Sequence, residues 1–438
     1  MMTRKPITIV VGGQYGSEAK GAIAAYLCLN ESVDYAIRTG ATNAGHTVEY
    51  RDRRYAMQQL PVGWVNPKTA LVIGAGALIN PAILVREIDN IKAATGVDPR
   101  SRIYIDPRAY IHRTIHAARS AESGRHHGIG ATGKGCSEAL IDRIRLRGGE
   151  NWTVEAAMVR GGTDAEPFAG CNIVDTEEML NNAVDNGDKL LLEGCQGTLL
   201  DLVLGPYPYT THKQTTPAQW MSEVGLSPAL GTDIVMVLRT FPIRVAGNSG
   251  PMGAEMSWPQ LARRINGYRS AHALASIVPD VAISGFENAV REAAKKFDMP
   301  IRGDYGPSDG LDMHEWNPNL RQRYQRPLSE LHREALKLLP DGLFASLMNL
   351  FEMTTVTQKL RRIANITHYE TSTAIRQVRP HRIAVTFMNY VFPHLWHSVS
   401  PITDAECTWL YDNIGSITPA PILAINRGPA MKHILPVA

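Results

Sequence analysis

The chain has 438 residues, of which 44% are hydrophobic and 20% charged, with a formal net charge of +3. These proportions exclude wholesale disorder, and so slight a charge gives no footing for nucleic acid or an anionic membrane surface. Five scattered cysteines (Cys28, Cys136, Cys171, Cys195 and Cys407) form no CxxC pair and match no histidine spacing, so they read as reduced buried thiols, not disulfides or zinc ligands.

In chain order, MMTRKPITIV reads as a short polar lead into a strand, unlike a signal peptide. The strand ITIVV runs into GGQYGSEAKG, Gly12 to Gly21, and then into an apolar helix, AIAAYL. Glycines there let backbone amides approach phosphate oxygens, the helix start adds positive potential, and Lys20 supplies a point charge. Gly21, standing where a Walker loop has Ser or Thr, sets the loop apart from that motif. ATNAGHT (Ala41 to Thr47) follows a second strand. ALVIGAG reads as strand and glycine turn, and Pro81–Ala94 as a helix. IGATGKG (Ile129 to Gly135) and DRIRLRG come next, then a helix over Thr176–Asn186. The strand KLLLEG opens EGCQGTLLD (Glu193 to Asp201), and GPYPYTT (Gly205 to Thr211) precedes the strand DIVMVL.

From Trp258 to Leu343 the texture changes to helical segments such as ENAVREAAKKF and LSELHREALKLL, broken by GDYGPSDG. TTVTQKLRR (Thr354 to Arg362) and the strand RIAVTFM follow. The uncharged stretches between Lys68 and Arg86 and between Arg382 and Asp404 are interrupted by Gly, Pro, Asn or His, and neither reads as a membrane span. Apolar runs alternating with helices predict an α/β fold, with a mostly parallel, P-loop-like central sheet flanked by helices and an inserted, mainly helical subdomain. The expected division is a nucleotide-binding core over 1–257, the insertion over 258–345, and a return to the same core over 346–438.

The loop, NAGHT, ATGKG, QGTLLD and PYTT, standing in this order, resemble the adenylosuccinate synthetase family, and TTVTQKLRR extends the likeness. The resemblance implies a carbon–nitrogen ligase. A nucleoside triphosphate phosphorylates the purine O6, the aspartate amine displaces that phosphate, and Mg2+ assists. It implies that Ser17, Lys20, His46 and Gln196 are catalytic. Gly16, Glu18, Ala19, Lys20, Gly21, Gly45, His46 and Thr47 would surround phosphates, with Ser17 and the Gly45 carbonyl toward Mg2+. Ser17, Asn43, Ala131, Thr132, Gln196, Thr211 and Lys359 would line the purine monophosphate. Thr355, Val356, Thr357 and Arg361 would hold L-aspartate, the guanidinium suiting its carboxylates. An arginine crossing a homodimer interface falls at Arg145 or Arg147. The donor base would meet Phe387, Asn389, Ser416, Thr418 and Pro419. A cytoplasmic protein is expected.

Three departures from the family pattern direct the substrate expectation. Ser17 replaces the family's loop aspartate, a smaller, uncharged group that leaves room beside purine C2 for an amino group. TFMN replaces a TKLD-like segment, and the Asn389 amide both donates and accepts, as adenine requires. The insertion before TTVT is also longer. These changes resemble the phage-type 2-aminoadenylosuccinate synthetase (PurZ) branch, which implies dGMP, aspartate and ATP or dATP as substrates. An ordinary synthetase using IMP and GTP, and a non-catalytic nucleotide binder, are the alternatives. Ribose against deoxyribose, ATP against dATP, and the acceptor of the N1 proton stay open.

Overall fold

The computed structural model describes residues 5–124, 129, 131–147, 151–245, 249–256 and 361–437, with Leu261, Gly285, Asn288, Ala289, Glu292 and Glu352 as single positions. The expected helical insertion therefore lies almost wholly outside the described residues. So do Thr355, Val356, Thr357 and Lys359.

The five isoleucine-, leucine- and valine-rich runs each form a strand of one ten-stranded sheet. In chain order these strands are β1 (Ile7–Gly12), β2 (Tyr35–Arg38), β3 (Ala70–Ile73), β4 (Ile103–Ile105) and β5 (Asn172–Ile173), then β6 (Leu190–Glu193), β7 (Thr232–Arg239), β8 (Arg382–Thr386), β9 (Ile422–Asn426) and β10 (Ile434–Pro436). Their spatial order is β10-β9-β8-β7-β1-β6-β2-β3-β4-β5. Every neighbouring pair is parallel except β9 and β10.

The runs are continuously apolar because both faces are covered. Ile7, Ile9 and Val11 join Leu190, Leu192, Met236, Leu238, Ile383 and Val385 on one side. Val10 joins Leu191, Val235, Val237 and the helix side chains Ile23, Ala24 and Leu27 on the other. The segment 361–437 returns to the core as expected: β8 pairs with β7 from Val235↔Arg382 to Arg239↔Thr386. Arg362–Ala364 also pairs antiparallel with Ile243–Arg244 and Glu255–Met256. Helices stand at Pro81–Thr95 and Thr176–Asp185, one residue from the bounds the sequence predicts. Among the described residues no helix is long and apolar enough to cross a membrane.

The parallel strands all end on one edge of the sheet, and β1 stands between β6 and β7, where the chain order reverses. Ligands of open α/β sheets bind at such a carboxyl edge. Gly12, Arg38, Glu193, Arg239, Thr386 and Asn426 all end strands there.

Candidate active site

The glycine-rich loop leaves β1 and enters helix α1 (Lys20–Asn30). Within it Gly16, Ser17 and Ala19 take positive φ of 85°, 61° and 61°. The two non-glycine residues carry left-handed strain of about 1 kcal/mol each. What holds the loop is Glu18, fully buried, whose Oε1 accepts from the amides of Gln14 (3.1 Å) and Gly16 (2.8 Å). Its Oε2 accepts from Lys20 Nζ at 2.7 Å. Gly12 admits this carboxylate, since a Cβ there would stand 2.5 Å from Glu18 Oε2. Gln14 straps the loop to β7 by two bonds of 3.0 Å with the Arg239 backbone, and Thr386 Oγ1 donates to the Glu18 carbonyl at 2.9 Å.

This geometry revises two expectations. The Glu18 side chain and the Gly16 amide, expected toward phosphate, are committed to each other inside the loop. Lys20 Nζ bonds Glu18 and the Gln196 carbonyl, so one of its three protons is left to face a ligand. Gly21 owes its identity to packing: a Cβ there would lie 2.8 Å from His46 Cβ and 3.0 Å from the Thr47 carbonyl.

His46 opens the antiparallel hairpin His46–Tyr50/Arg53–Met57. Its Nδ1 lies 2.8 Å from Glu193 Oε2, and its buried Nε2 has no hydrogen-bond partner. Glu193, last residue of β6, also accepts from the Val62 amide (2.6 Å) and from Arg38 Nη1 (3.3 Å). Burial, with the Arg38 and Lys20 cations nearby, holds His46 well below the usual imidazole range. Burial also pushes Glu193 up to about 7, against the pull of Arg38. A neutral imidazole thus donates from Nδ1 to Glu193, and Nε2 is left to meet a phosphoryl group. An imidazolium formed there would be stabilised by the carboxylate behind it. Glu193 and Arg38 were legible only as strand ends, although Glu193 opens one of the motifs.

Gln196, with φ of 54°, follows two residues after Gly194 and donates from Nε2 to Asn43 Oδ1 at 3.3 Å; its buried Oε1 has no partner. Gly45 is exposed and Thr47 half-buried beside it. Ala131 and Thr132 lead into the helix Cys136–Arg145, whose first side chain meets Thr42 (Sγ to Oγ1 3.4 Å), bringing that turn against the Asn43 segment. Thr211 donates its amide to the Leu200 carbonyl at 2.7 Å. Arg145 and Arg147 are both exposed at the end of the same helix.

Ser17 sits at the exposed apex of the loop, and Arg361 donates to its Oγ at 2.6 Å. The residues expected to meet purine and aspartate therefore touch. Arg239, fully buried, donates to the Ser17 carbonyl (3.1 Å) and to both oxygens of Glu352. Its guanidinium lies 3.8 Å over the Phe387 ring, and Tyr390 Oη donates to Glu352 Oε1 at 2.9 Å. Arg362, by contrast, is spent on Glu255 in a paired contact of 2.6 and 2.7 Å.

β8 stops at Thr386; Phe387 turns to φ of 62°, and Met388–Tyr390 form a short 3-10 turn. Phe387 is thereby presented at the carboxyl edge. Asn389 is only 6% exposed, yet its amide makes no hydrogen bond among the described residues. Ser416, Thr418 and Pro419 require correction. β9 runs parallel to β8, with Ile383↔Ile422 and Val385↔Ile425, so the segment before Ile422 lies at the amino edge, opposite Phe387. Ser416 Oγ is turned to the Asp412 carbonyl and Thr418 Oγ1 to the Ala420 amide. The carboxyl end of β9 delivers Asn426, Arg427, Gly428 and Pro429 beside Phe387. Arg427 is fixed by Glu406, leaving Asn426 and the Gly428–Pro429 backbone as the candidates. The Gly428–Pro429 pair, one residue beyond LAIN, was the signal.

A donor set of the Ser17 hydroxyl and an exposed Gly45 carbonyl is neutral, and among the described residues no three His, Cys, Asp or Glu gather. This set fits an Mg2+ that arrives with its triphosphate and keeps phosphate and water ligands, rather than a resident ion.

Sheet, loop and strand-end cluster define an α/β phosphate-handling enzyme. Residues 9–155 and 153–268 match the adenylosuccinate synthetase family. The chain is 37% identical over 260 residues to the adenylosuccinate synthetase of Thermococcus onnurineus, covering 59% of this chain and 72% of that one. It is 36% identical over 255 residues to that of Methanocaldococcus jannaschii, covering 57% and 68%. Among solved structures, a cyanophage S-2L succinoaminodeoxyadenylate synthetase (PurZ) bound to dGMP and dATP superposes with a TM-score of 0.67 at 22% identity, over 99% of this chain and 96% of that one. A fully ligated adenylosuccinate synthetase from Plasmodium falciparum gives 0.66 at 17% identity, over 99% and 100%. The chain belongs to the adenylosuccinate synthetase family of carbon–nitrogen ligases, whose members bind a nucleotide and aspartate and use a nucleoside triphosphate with Mg2+.

Proposed function

We propose that this chain joins L-aspartate to C6 of dGMP at the expense of ATP or dATP, giving N6-succino-2-amino-2'-deoxyadenylate, the precursor of a 2-aminoadenine deoxynucleotide. The observation that carries the reading is the Ser17–Arg361 contact at the loop apex. An aspartate at this position would pair with the guanidinium and crowd the purine C2 edge with charge. A hydroxyl adds no negative charge beside Arg361 and leaves C2 free for an amino group. The Asn389 amide, which makes no hydrogen bond among the described residues, supports an adenine donor, since it pairs with N6 and N1 alike. The cyanophage neighbour, which binds dGMP and dATP, points the same way.

In this reading Lys20 and the α1 start attract the phosphates. As the phosphoryl group moves from the triphosphate to purine O6, His46, protonated at Nε2 in that state, donates a hydrogen bond to it, and Glu193 holds and stabilises the imidazolium. The Gly45 carbonyl and Ser17 hydroxyl would hold Mg2+ arriving with the triphosphate, which would supply neutralisation of phosphate charge. Arg361 orients aspartate, aided by Thr355, Val356 and Thr357, and Lys359 faces the nucleotide. Gln196 and Asn43 bracket the purine, with Ala131, Thr132 and Thr211 at its 5' side. Arg145 or Arg147 reaches the partner site of a homodimer. Asn426 and the Gly428–Pro429 backbone join Asn389 at the donor base.

Phosphate release tests this. dGMP, GMP and IMP are crossed with ATP, dATP and GTP in the presence of aspartate and Mg2+. Release with dGMP and ATP or dATP is the expected result; turnover of IMP with GTP alone overturns it. Ser17→Asp separates the same two enzymes, because it abolishes dGMP use here and raises IMP use in an ordinary synthetase.

A further inference from the structure

One cluster of buried polar side chains lies outside these assignments. His112 follows the short strand Tyr110–Ile111 and is 4% exposed, and neither of its ring nitrogens has a hydrogen-bond partner. Its ring stands 5.3 Å from that of His116, which is fully satisfied: Nδ1 accepts from the Arg113 amide (3.0 Å) and Nε2 meets Asp142 at 3.2 Å. Lys134 and Gly135, the last residues of the ATGKG turn, lie against His112. Gly135 is pressed so closely on His116 that a Cβ would fall 2.3 Å from its carbonyl carbon. His212 joins from another segment, with Nδ1 3.4 Å from Thr211 Oγ1 and a buried, unpartnered Nε2. It is close enough to His112 to disfavour a charge there.

Three unpaired ring nitrogens buried together carry a desolvation cost unless a ligand pairs them. The cluster's electrostatics choose the ligand. The charged neighbours felt by His112 and His212 are imidazoles and Lys213, with no carboxylate among them. Lys213 is already held by Glu223 and the Thr39 carbonyl. A cation is therefore unwelcome, and no third metal ligand joins the two histidines among the described residues. An anion is favoured, because the ten-residue helix Cys136–Arg145 starts at this cluster with its unpaired amides.

We propose that His112 and His212 donate ring N–H bonds to the 5'-phosphate of the acceptor nucleotide, completing a pocket that Thr132 and Thr211 begin. This rests on the reading that a purine monophosphate is the acceptor, and not on which base it carries.

Calorimetric binding of dGMP, IMP, deoxyguanosine and ATP to wild type, His112→Leu and His212→Ala tests it, with thermal melts of each. Each substitution is expected to weaken the bound monophosphate roughly tenfold, while leaving ATP and the phosphate-free deoxyguanosine unchanged. The ligand-free melting temperature of His112→Leu should equal or exceed that of wild type, because leucine leaves no unpaired polar atom. Unchanged monophosphate affinity overturns the inference. So does a drop in melting temperature accompanied by equal loss of ATP, which marks a structural role. If IMP binds and dGMP does not, the substrate reading falls while the pocket is still judged on IMP. If wild type binds neither, both fall.

Discussion

Two stretches of the carboxyl edge, one central and one toward its β10 side, are built differently. Around β1, β2 and β6 the carboxylates are already answered, Glu18 by Gln14, Gly16 and Lys20 and Glu193 by Arg38, Val62 and His46, while His46 Nε2 and Gln196 Oε1 stay unpartnered. Around β8 and β9, Phe387 is met by the Arg239 guanidinium and the Tyr390 ring, and the Asn389 amide makes no hydrogen bond among the described residues. The first region is rigid because its charges neutralise one another before any ligand arrives, and such preorganisation serves phosphoryl chemistry. In the second, on the function proposed above, one unanswered amide would choose the donor base. Catalysis and donor choice are thus separable by mutation.

The largest effect expected is at the first region. His46→Ala should lower kcat about a thousandfold, as loss of a transition-state contact does, with the KM values nearly unmoved; a change confined to KM would place His46 outside the chemistry. Glu193 gives the next. Its folded pKa is raised by burial to about 7, so it contributes stability that is present below the unfolded value near 4.5 and lost as pH rises through 7. Wild type should therefore lose roughly 2–3 kcal/mol relative to Glu193→Gln between pH 4.5 and 8, read by denaturant melts. A constant difference across that window would show the carboxylate is not buried as described.

At the second region, Asn389→Asp should shift the ATP-to-GTP preference by roughly ten- to hundredfold without altering the acceptor. An equal loss with both donors would break the separation between the two stretches. The smallest effect is Ala19→Gly. Relief of the left-handed backbone, less the entropy glycine adds to the unfolded chain, should stabilise by roughly 0.5 kcal/mol, seen as a slight rise in melting temperature.

Legibility followed the same divide. The strands were readable because a sheet buried on both faces needs runs such as ITIVV and KLLLEG. The loop and QGTLLD were readable because close backbone packing demands glycines at fixed places, as Gly12, Gly21 and Gly197 show. Side chains acting singly were not. Glu193 looked like the polar end of a strand until His46 was seen against it. His112 and His212 are lone histidines far apart in the chain. Ser416, Thr418 and Pro419 were misplaced because no spacing rule says which end of β9 meets the site; only the parallel pairing with β8 does.

Arg239 carries one more consequence. Its guanidinium covers one face of Phe387, its Nη1 holds the Ser17 carbonyl, and Glu352 anchors it from the segment leading to the aspartate loop. A base settling on Phe387 and a purine settling at Ser17 therefore bear on the same side chain from opposite ends. By reciprocal linkage, whatever factor the triphosphate lends to acceptor affinity, the acceptor returns to the triphosphate.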